Sequence, residues 1–312
     1  MKKELIAARE PKSPISELFR TLRTNIQFMN TKTGLKSLLV TSTSPSEGKS
    51  WVSSNLATTF AQAGKRVILV DCDMRKGRLF SVFSVPPAPG LSNYLSGVNS
   101  NGESGDTRIE SYIRKTEVEN LYLITAGSVP PNPSELLVSE KMAETMQELE
   151  KMCDIVIYDG TPTNLVTDAL IISRNVDSTI IVCAYKYTKI DDLERVKRDI
   201  LNVGGKIAGV VINKMPIAQK EYYASYYYGS SSTAVTTSHK KSSRNKVDFA
   251  ARIKPETQEN SKLYNVDSDK DDLDENSSEN PYSGRARDSV SRKRENDDWY
   301  TLSFSLWSRW WL

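Results

Sequence analysis

Short apolar runs recur along the first two thirds of the chain. Ser37–Thr43 (SLLVTST), Arg66–Asp71 (RVILVD), Leu121–Ala126 (LYLITA), Asp154–Asp159 (DIVIYD), Ser178–Ala184 (STIIVCA) and Lys206–Asn213 (KIAGVVIN) are rich in β-branched residues and lack polar alternation. That pattern fits strands buried on both faces. Helical patterns fill the intervals, among them Ser50–Ala63, Pro133–Cys153 and Asp191–Val203. Such strands alternating with helices predict an α/β fold, with a mainly parallel sheet and helices on both faces.

The character of the chain changes near Ala218. Gln219–Leu312 is rich in Ser, Lys, Asp, Glu and Asn and has no sustained periodicity. It holds an acidic stretch, Asp267–Glu279, and a basic one, Arg285–Arg294. This composition predicts a largely disordered tail. The closing WYTLSFSLWSRWWL suits either a small docking anchor or a segment without selected function. Three regions follow: an N-terminal helical segment over 1–34, an α/β domain over 35–218, and a tail over 219–312.

Composition narrows the function class. The chain has 312 residues and a net charge of +3, too small to imply a nucleic-acid partner. Cys72, Cys153 and Cys183 each lie in or beside an apolar run and read as reduced core thiols. One histidine, His239, and scattered cysteines make no credible zinc site. The N-terminus is charged and lacks the apolar core of a signal peptide. No run approaches the roughly 18–20 apolar residues of a membrane span. The sequence predicts a cytoplasmic protein whose membrane role, if any, comes through a partner.

The candidate chemistry begins at residues 43–50, T-S-P-S-E-G-K-S. The segment follows a predicted strand and opens a predicted helix, as a P-loop must. Thr43 stands where the first glycine usually does. Backbone amides of Ser46, Glu47, Gly48, Lys49, Ser50 and Trp51 are candidates to cradle phosphate at a helix N-terminus. Lys49 can reach the β and γ phosphates, and the Ser50 hydroxyl can ligate Mg²⁺. Alone, the pattern also fits an ordinary strand-to-helix turn. Two further elements make it specific. Val70–Arg75, V-D-C-D-M-R, places Asp71 and Asp73 at a strand end, where ligands bind in such sheets. Without the P-loop, they would read as loop carboxylates capping the next element. Asp154–Asp159 is an apolar strand ending in Asp159, a Walker B arrangement suited to Mg²⁺ or its water shell.

Taken together, these residues resemble the bacterial tyrosine kinases of capsule and exopolysaccharide systems. The resemblance covers Pro14 to Gly229 and includes E-L-F-R-T-L-R-T-N-I at Glu17–Ile26, S-P-S-E-G-K-S at Ser44–Ser50, N-L-A at Asn55–Ala57 and I-L-V-D-C-D-M-R at Ile68–Arg75. It extends through G-S-V-P-P-N-P-S-E-L-L at Gly127–Leu137, V-T-D-A at Val166–Ala169 and Y-Y-A-S-Y-Y-Y at Tyr222–Tyr228. It implies a P-loop kinase that binds ATP with Mg²⁺ and phosphorylates tyrosines in the tail of a neighbouring copy. Lys49 would contact phosphates, and Ser50, Asp73 and Asp159 would serve the metal. Asp71 would be the catalytic base, with Asp73 and Lys49 beside it. Tyr222, Tyr223, Tyr226, Tyr227 and Tyr228 would be the phosphoacceptors. Glu17, Arg20 and Arg23 share one face of a predicted helix. They suit a solvated face, but the resemblance implies a subunit contact that closes a homo-oligomeric ring. It also implies a separate membrane protein supplying an activating cytoplasmic segment. The family commonly shows D-T-P-P after the Walker B strand; here Asp159-Gly160-Thr161-Pro162-Thr163 predicts a looser loop.

Two rival readings share the motifs. Partitioning or septum-positioning ATPases carry a second lysine just after the first P-loop position, where this chain has Ser44. A non-catalytic ATP-binding regulator could use its tail as a scaffold, though intact Lys49, Asp71, Asp73 and Asp159 argue against lost chemistry.

Overall fold

Residues 3–29, 34–99, 101–216 and 303–305 are described by the computed structural model. The apolar runs become strands within a residue or two of the expected bounds. They are β1 (Ser37–Ser42), β2 (Val67–Asp71), β4 (Leu121–Ile124), β5 (Ile155–Pro162), β6 (Ser178–Ala184) and β7 (Ile207–Asn213). All six run parallel, in the order β4-β2-β5-β1-β6-β7. Two short strands that periodicity could not reveal close the edges. β3 (Arg114–Lys115) lies antiparallel on β4, and β8 (Ser303–Ser305), from the C-terminal stretch, lies antiparallel on β7.

Successive residues of a strand face opposite sides, so each inner strand feeds two cores. Leu38 and Val40 join Leu69, Ile157 and Val182 on one face, against α3 (Lys49–Gln62) through Val52, Leu56 and Phe60. Leu39 joins Ile68, Val70, Val156 and Tyr158 on the other, against α7 (Glu140–Met152) through Met142, Met146 and Leu149. Helices therefore cover both faces, as expected of a parallel sheet. The N-terminal region shares the first core. Short α1 (Ile6–Arg9) leads into α2 (Pro14–Met29), which buries Phe19, Leu22 and Ile26 beside Leu56 and Phe60. Those three positions recur at i, i+3 and i+7, one face of a helix.

The span Pro133–Cys153, expected as one helix, is two: α6 (Pro133–Val138) and α7. Ser139 breaks it. Its backbone is extended, its hydroxyl accepts the Met142 N–H at 3.2 Å, and it donates to Leu136 O at 2.7 Å. A serine that caps a new helix competes with continuation of the old one. Three short helices complete the segments between strands: α4 (Leu79–Val82), α5 (Leu91–Ser96) and α8 (Asp168–Ser173); α9 (Ile190–Asn202) precedes β7.

Truncating Ile157, wholly buried in β5, should cost about 2–5 kcal/mol, the transfer and cavity loss of a core Ile→Ala change. Ser139→Ala should cost about 1 kcal/mol, the worth of one N-cap. Urea midpoints at unchanged m-value measure both, and equal costs would contradict this placement of core and cap.

Candidate active site at the phosphate-binding loop

The carboxyl ends of β1, β2 and β5 meet at one rim of the sheet. β1 delivers residues 43–48, and α3 begins at Lys49. Two residues of the turn adopt positive φ, Ser46 at 64° and Gly48 at 99°. Gly48 is required twice over: by that φ, and because a Cβ there would fall 2.1 Å from Asn213 Nδ2. The turn aims the first amides of a fourteen-residue helix at the rim, and the N-cap residue, Gly48, supplies no side-chain cap. That is a built anion seat, with the positive end of the helix dipole behind it.

Parallel pairing brings the acidic residues to the same place. Asp71 of β2 stands opposite Asp159 of β5 in register. Lys49 Nζ lies 3.0 Å from Asp73 Oδ2 and 3.9 Å from Asp159 Oδ2. Burial by itself would lower the Lys49 pKa, but Asp159, Asp73 and Asp71 together outweigh it and hold the ammonium charged. Burial raises the proton affinity of Asp159, and Lys49 opposes that rise. Asp71 is pushed up to about 8, by burial first and then by the charge of Asp159. It sits beneath the cleft rather than on its wall, accepting N–H bonds from Leu79 at 3.1 Å and Asp73 at 3.2 Å.

A divalent cation suits this donor set. Both Asp159 carboxylate oxygens are buried with no close hydrogen-bond partner among the described residues, Lys49 standing off at 3.9 Å, which leaves acceptor capacity that a cation could use. No group of three or more His, Cys, Asp and Glu side chains there has metal-site geometry. The protein would thus supply few ligands, namely Ser50, Asp159 and Asp73, with phosphates and water completing the shell. Mg²⁺ is commonly held this way.

A cleft of about 510 Å³ opens over the loop, walled by Ser46, Gly48, Lys49, Ser50, Trp51, Asp73 and Arg75 among others. Trp51 packs edge-on against Phe19, ring centroids 5.0 Å apart. Glu47 differs from its neighbours: its side chain is turned away from the cleft and fully buried. Arg75 Nε meets the buried Asp168 at 3.0 Å, while Ser134 Oγ bonds the other oxygen of Asp168 at 2.5 Å and accepts from Arg75 at 3.1 Å. The N-P-S-E-L-L and V-T-D-A motifs thereby acquire a physical role, which no single-motif argument supplies: together they fix an arginine of the β2 loop. The segment after Asp159 is not loose. β5 continues through Gly160 and Thr161 to Pro162, and the Thr161 carbonyl accepts the Thr41 hydroxyl at 2.6 Å. A Cβ at Gly160 would come 2.9 Å from Leu39 Cδ1, a side-chain tip that can shift.

On α2, Glu17 pairs with Arg20, and Arg20 also donates to the Pro11 carbonyl at 2.6 Å. Arg23 donates to Thr59 O at 2.8 Å, near the end of α3. All three expected subunit-contact residues thus also make contacts within this chain. Tyr222, Tyr223, Tyr226, Tyr227 and Tyr228 lie outside the described residues.

A family model described as an AAA domain matches residues 43–208. The chain is 41% identical over 214 residues to the putative tyrosine-protein kinase CapB of Staphylococcus aureus, covering 69% of this chain and 90% of that one. The chain belongs to the bacterial tyrosine kinases. The tyrosine-protein kinase YwqD of Bacillus subtilis (strain 168) is 34% identical over 223 residues, 72% of this kinase and 91% of YwqD. The crystal structure of the chimerical protein CapA2B2 superposes with a TM-score of 0.64 at 37% identity, covering 70% and 92% of the two chains. Membership makes the protein a tyrosine kinase with a nucleotide-binding fold, and removes the partitioning-ATPase alternative. No helix among the kinase's described residues is long and apolar enough to cross a membrane.

Arg75→Ala would leave the Asp168 carboxylate buried with Ser134 but no cation. A half-satisfied buried acceptor costs about 1–3 kcal/mol, and the partial exposure of Arg75 favours the lower end. Thermal denaturation of the variant should show that loss, and an unchanged Tm would mean that Arg75 does not support the fold of this rim.

Proposed function

We propose that this kinase binds Mg·ATP at residues 46–51 and phosphorylates the tyrosines of its own C-terminal cluster in trans, as part of the control of capsular or exported polysaccharide. The observation that carries the reading is the convergence of Lys49, Asp73 and Asp159 within 4 Å at the phosphate-binding turn. Lys49, released from its carboxylates when a metal shares them, would face the β and γ phosphates. Ser50, Asp73 and Asp159 would hold the metal, which supplies charge neutralisation to the transferring phosphoryl group. The amides of Ser46, Glu47, Gly48 and Trp51 would orient the phosphates.

Asp71 is the proposed base for the tyrosine hydroxyl. Once ionised, a carboxylate of raised proton affinity is a stronger base than an ordinary aspartate, and a cation bound beside it would favour that ionised form. Gly77 lies over it, where a Cβ would come 2.9 Å from Asp71 Oδ2, so the incoming tyrosine must displace the Arg75–Arg78 loop. Glu17, Arg20 and Arg23 are proposed as the contact of a ring-shaped homo-oligomer, and a membrane-embedded adaptor as the activator that recruits the kinase to the inner face of the membrane.

The trans assignment rests on the resemblance to the bacterial tyrosine kinases, which implies action on a neighbouring copy. Tyr222 follows the end of β7 by nine residues. That end lies at the site itself, since Asn213 Nδ2 bonds the Glu47 carbonyl at 2.8 Å and Lys214 lines the cleft, so the length of the tail does not separate a neighbour's site from its own. Each phosphate adds about −1.5 to −2 charges, so a modified cluster would repel itself and leave the assembly.

Lys49→Met and Asp159→Asn should each lower autophosphorylation by roughly 10²–10⁴, the usual worth of such transition-state charge stabilisation. A phosphotyrosine blot of folded protein with Mg·ATP reads it. Near-normal signal in Lys49→Met would refute this site, and no signal in wild type would return the non-catalytic regulator. A mixture of Lys49→Met chains with active chains whose five cluster tyrosines are phenylalanine should place phosphate within Tyr222–Tyr228 of the inactive chain, by mass spectrometry. An unmodified inactive chain, with wild type modifying itself at a concentration-independent rate, would make the reaction cis.

A further inference from the structure

Glu47 is the acidic side chain of the phosphate-binding loop, and a carboxylate aimed at a triphosphate would oppose its binding. The structure turns it inward, 1% exposed. Its oxygens accept from the Thr43 hydroxyl at 2.7 and 2.9 Å, from the Ser44 N–H at 2.8 Å, and from the Thr188 hydroxyl. Thr188 stands outside every phosphate-loop motif, between β6 and α9, and its own oxygen accepts the Ala184 N–H at 2.8 Å. The Glu47 carbonyl accepts Asn213 Nδ2 at 2.8 Å, at the end of β7. The loop is thus fastened through one residue to the ends of two neighbouring strands. The hydroxyl that replaces the usual first glycine, that of Thr43, is one of the fasteners.

We infer that Glu47, with Thr43 and Thr188, is a positioning residue that holds the loop in its phosphate-receiving shape without its carboxylate touching phosphate. A flexible turn must lose conformational freedom when it wraps an anion, and a turn already held loses less, which favours affinity. A carboxylate is the side chain that can accept on both arms at once, whereas an amide presents N–H groups on one arm. This inference rests on the assignment of residues 43–50 as the nucleotide's phosphate cradle.

The test measures Mg·ATP affinity by calorimetry and the autophosphorylation rate at saturating ATP, in wild type, Glu47→Gln, Thr188→Val, Thr188→Ser and the Glu47→Gln/Thr188→Val double variant. Glu47→Gln and Thr188→Val should each weaken ATP binding about tenfold, and in Thr188→Val the saturated rate should stay within about threefold of wild type. The double variant should be no weaker than the worse single one, because both remove one brace. Thr188→Ser, which keeps the hydroxyl, should bind as wild type does. Unchanged affinity in a folded Glu47→Gln, or fully additive losses, would overturn the inference. If Glu47→Gln fails to fold, unchanged affinity in Thr188→Val overturns it equally. Wild type that binds no ATP would instead overturn the nucleotide assignment itself.

Discussion

One ammonium group holds the rim of this sheet together electrostatically. Parallel pairing forces Asp71 and Asp159 side by side in a buried wall, and Asp73 follows two residues later. Three carboxylates so placed would repel one another and resist ionisation. Lys49 sits among them because α3 starts where β1 ends, which directs its side chain across the strand ends. The same ammonium that neutralises the wall is the one a phosphoryl-transfer site needs beside its metal. Fold and chemistry therefore draw on one charge, and the arrangement is held by backbone topology rather than by a dedicated support.

The strand ends do the placing. Ligand sites of open parallel sheets lie beyond the carboxyl ends of the strands, and here β1, β2 and β5 each carry a functional group at that position. Packing beneath them is dense and apolar on both faces, which lets the rim carry several buried charges without a flexible floor. Arg75 extends this logic one layer out: Asp168 and Ser134, from two short helices, fix its guanidinium at the cleft wall.

Much of this was legible in the residues. Buried strands announce themselves by unbroken β-branched runs, so β1, β2, β4, β5, β6 and β7 and the α/β class followed from pattern. P-loop and acidic residues followed from spacing, since their order along the chain is itself diagnostic. What pattern could not give was whatever depends on partners distant in sequence. The edge strand β3 is two residues long and has no periodicity to read. The break at Ser139 was hidden because both flanking segments are helical in composition. Position assigns the Glu47 amide to the phosphate cradle but says nothing of its side chain, which only the contacts with Thr43 and Thr188 locate. The lost proline after Asp159 suggests a looser loop because the residue that holds the segment, Thr41 of β1, is distant in sequence.

The contact between Phe19 and Trp51 has a practical consequence. Trp51 is the sole tryptophan before Trp299, and its indole touches α2 while lining the cleft one residue beyond Ser50. In a chain ending before Trp299, every photon of tryptophan emission would come from that spot. The kinase carries its own optical label at the junction of its N-terminal helix and its nucleotide seat.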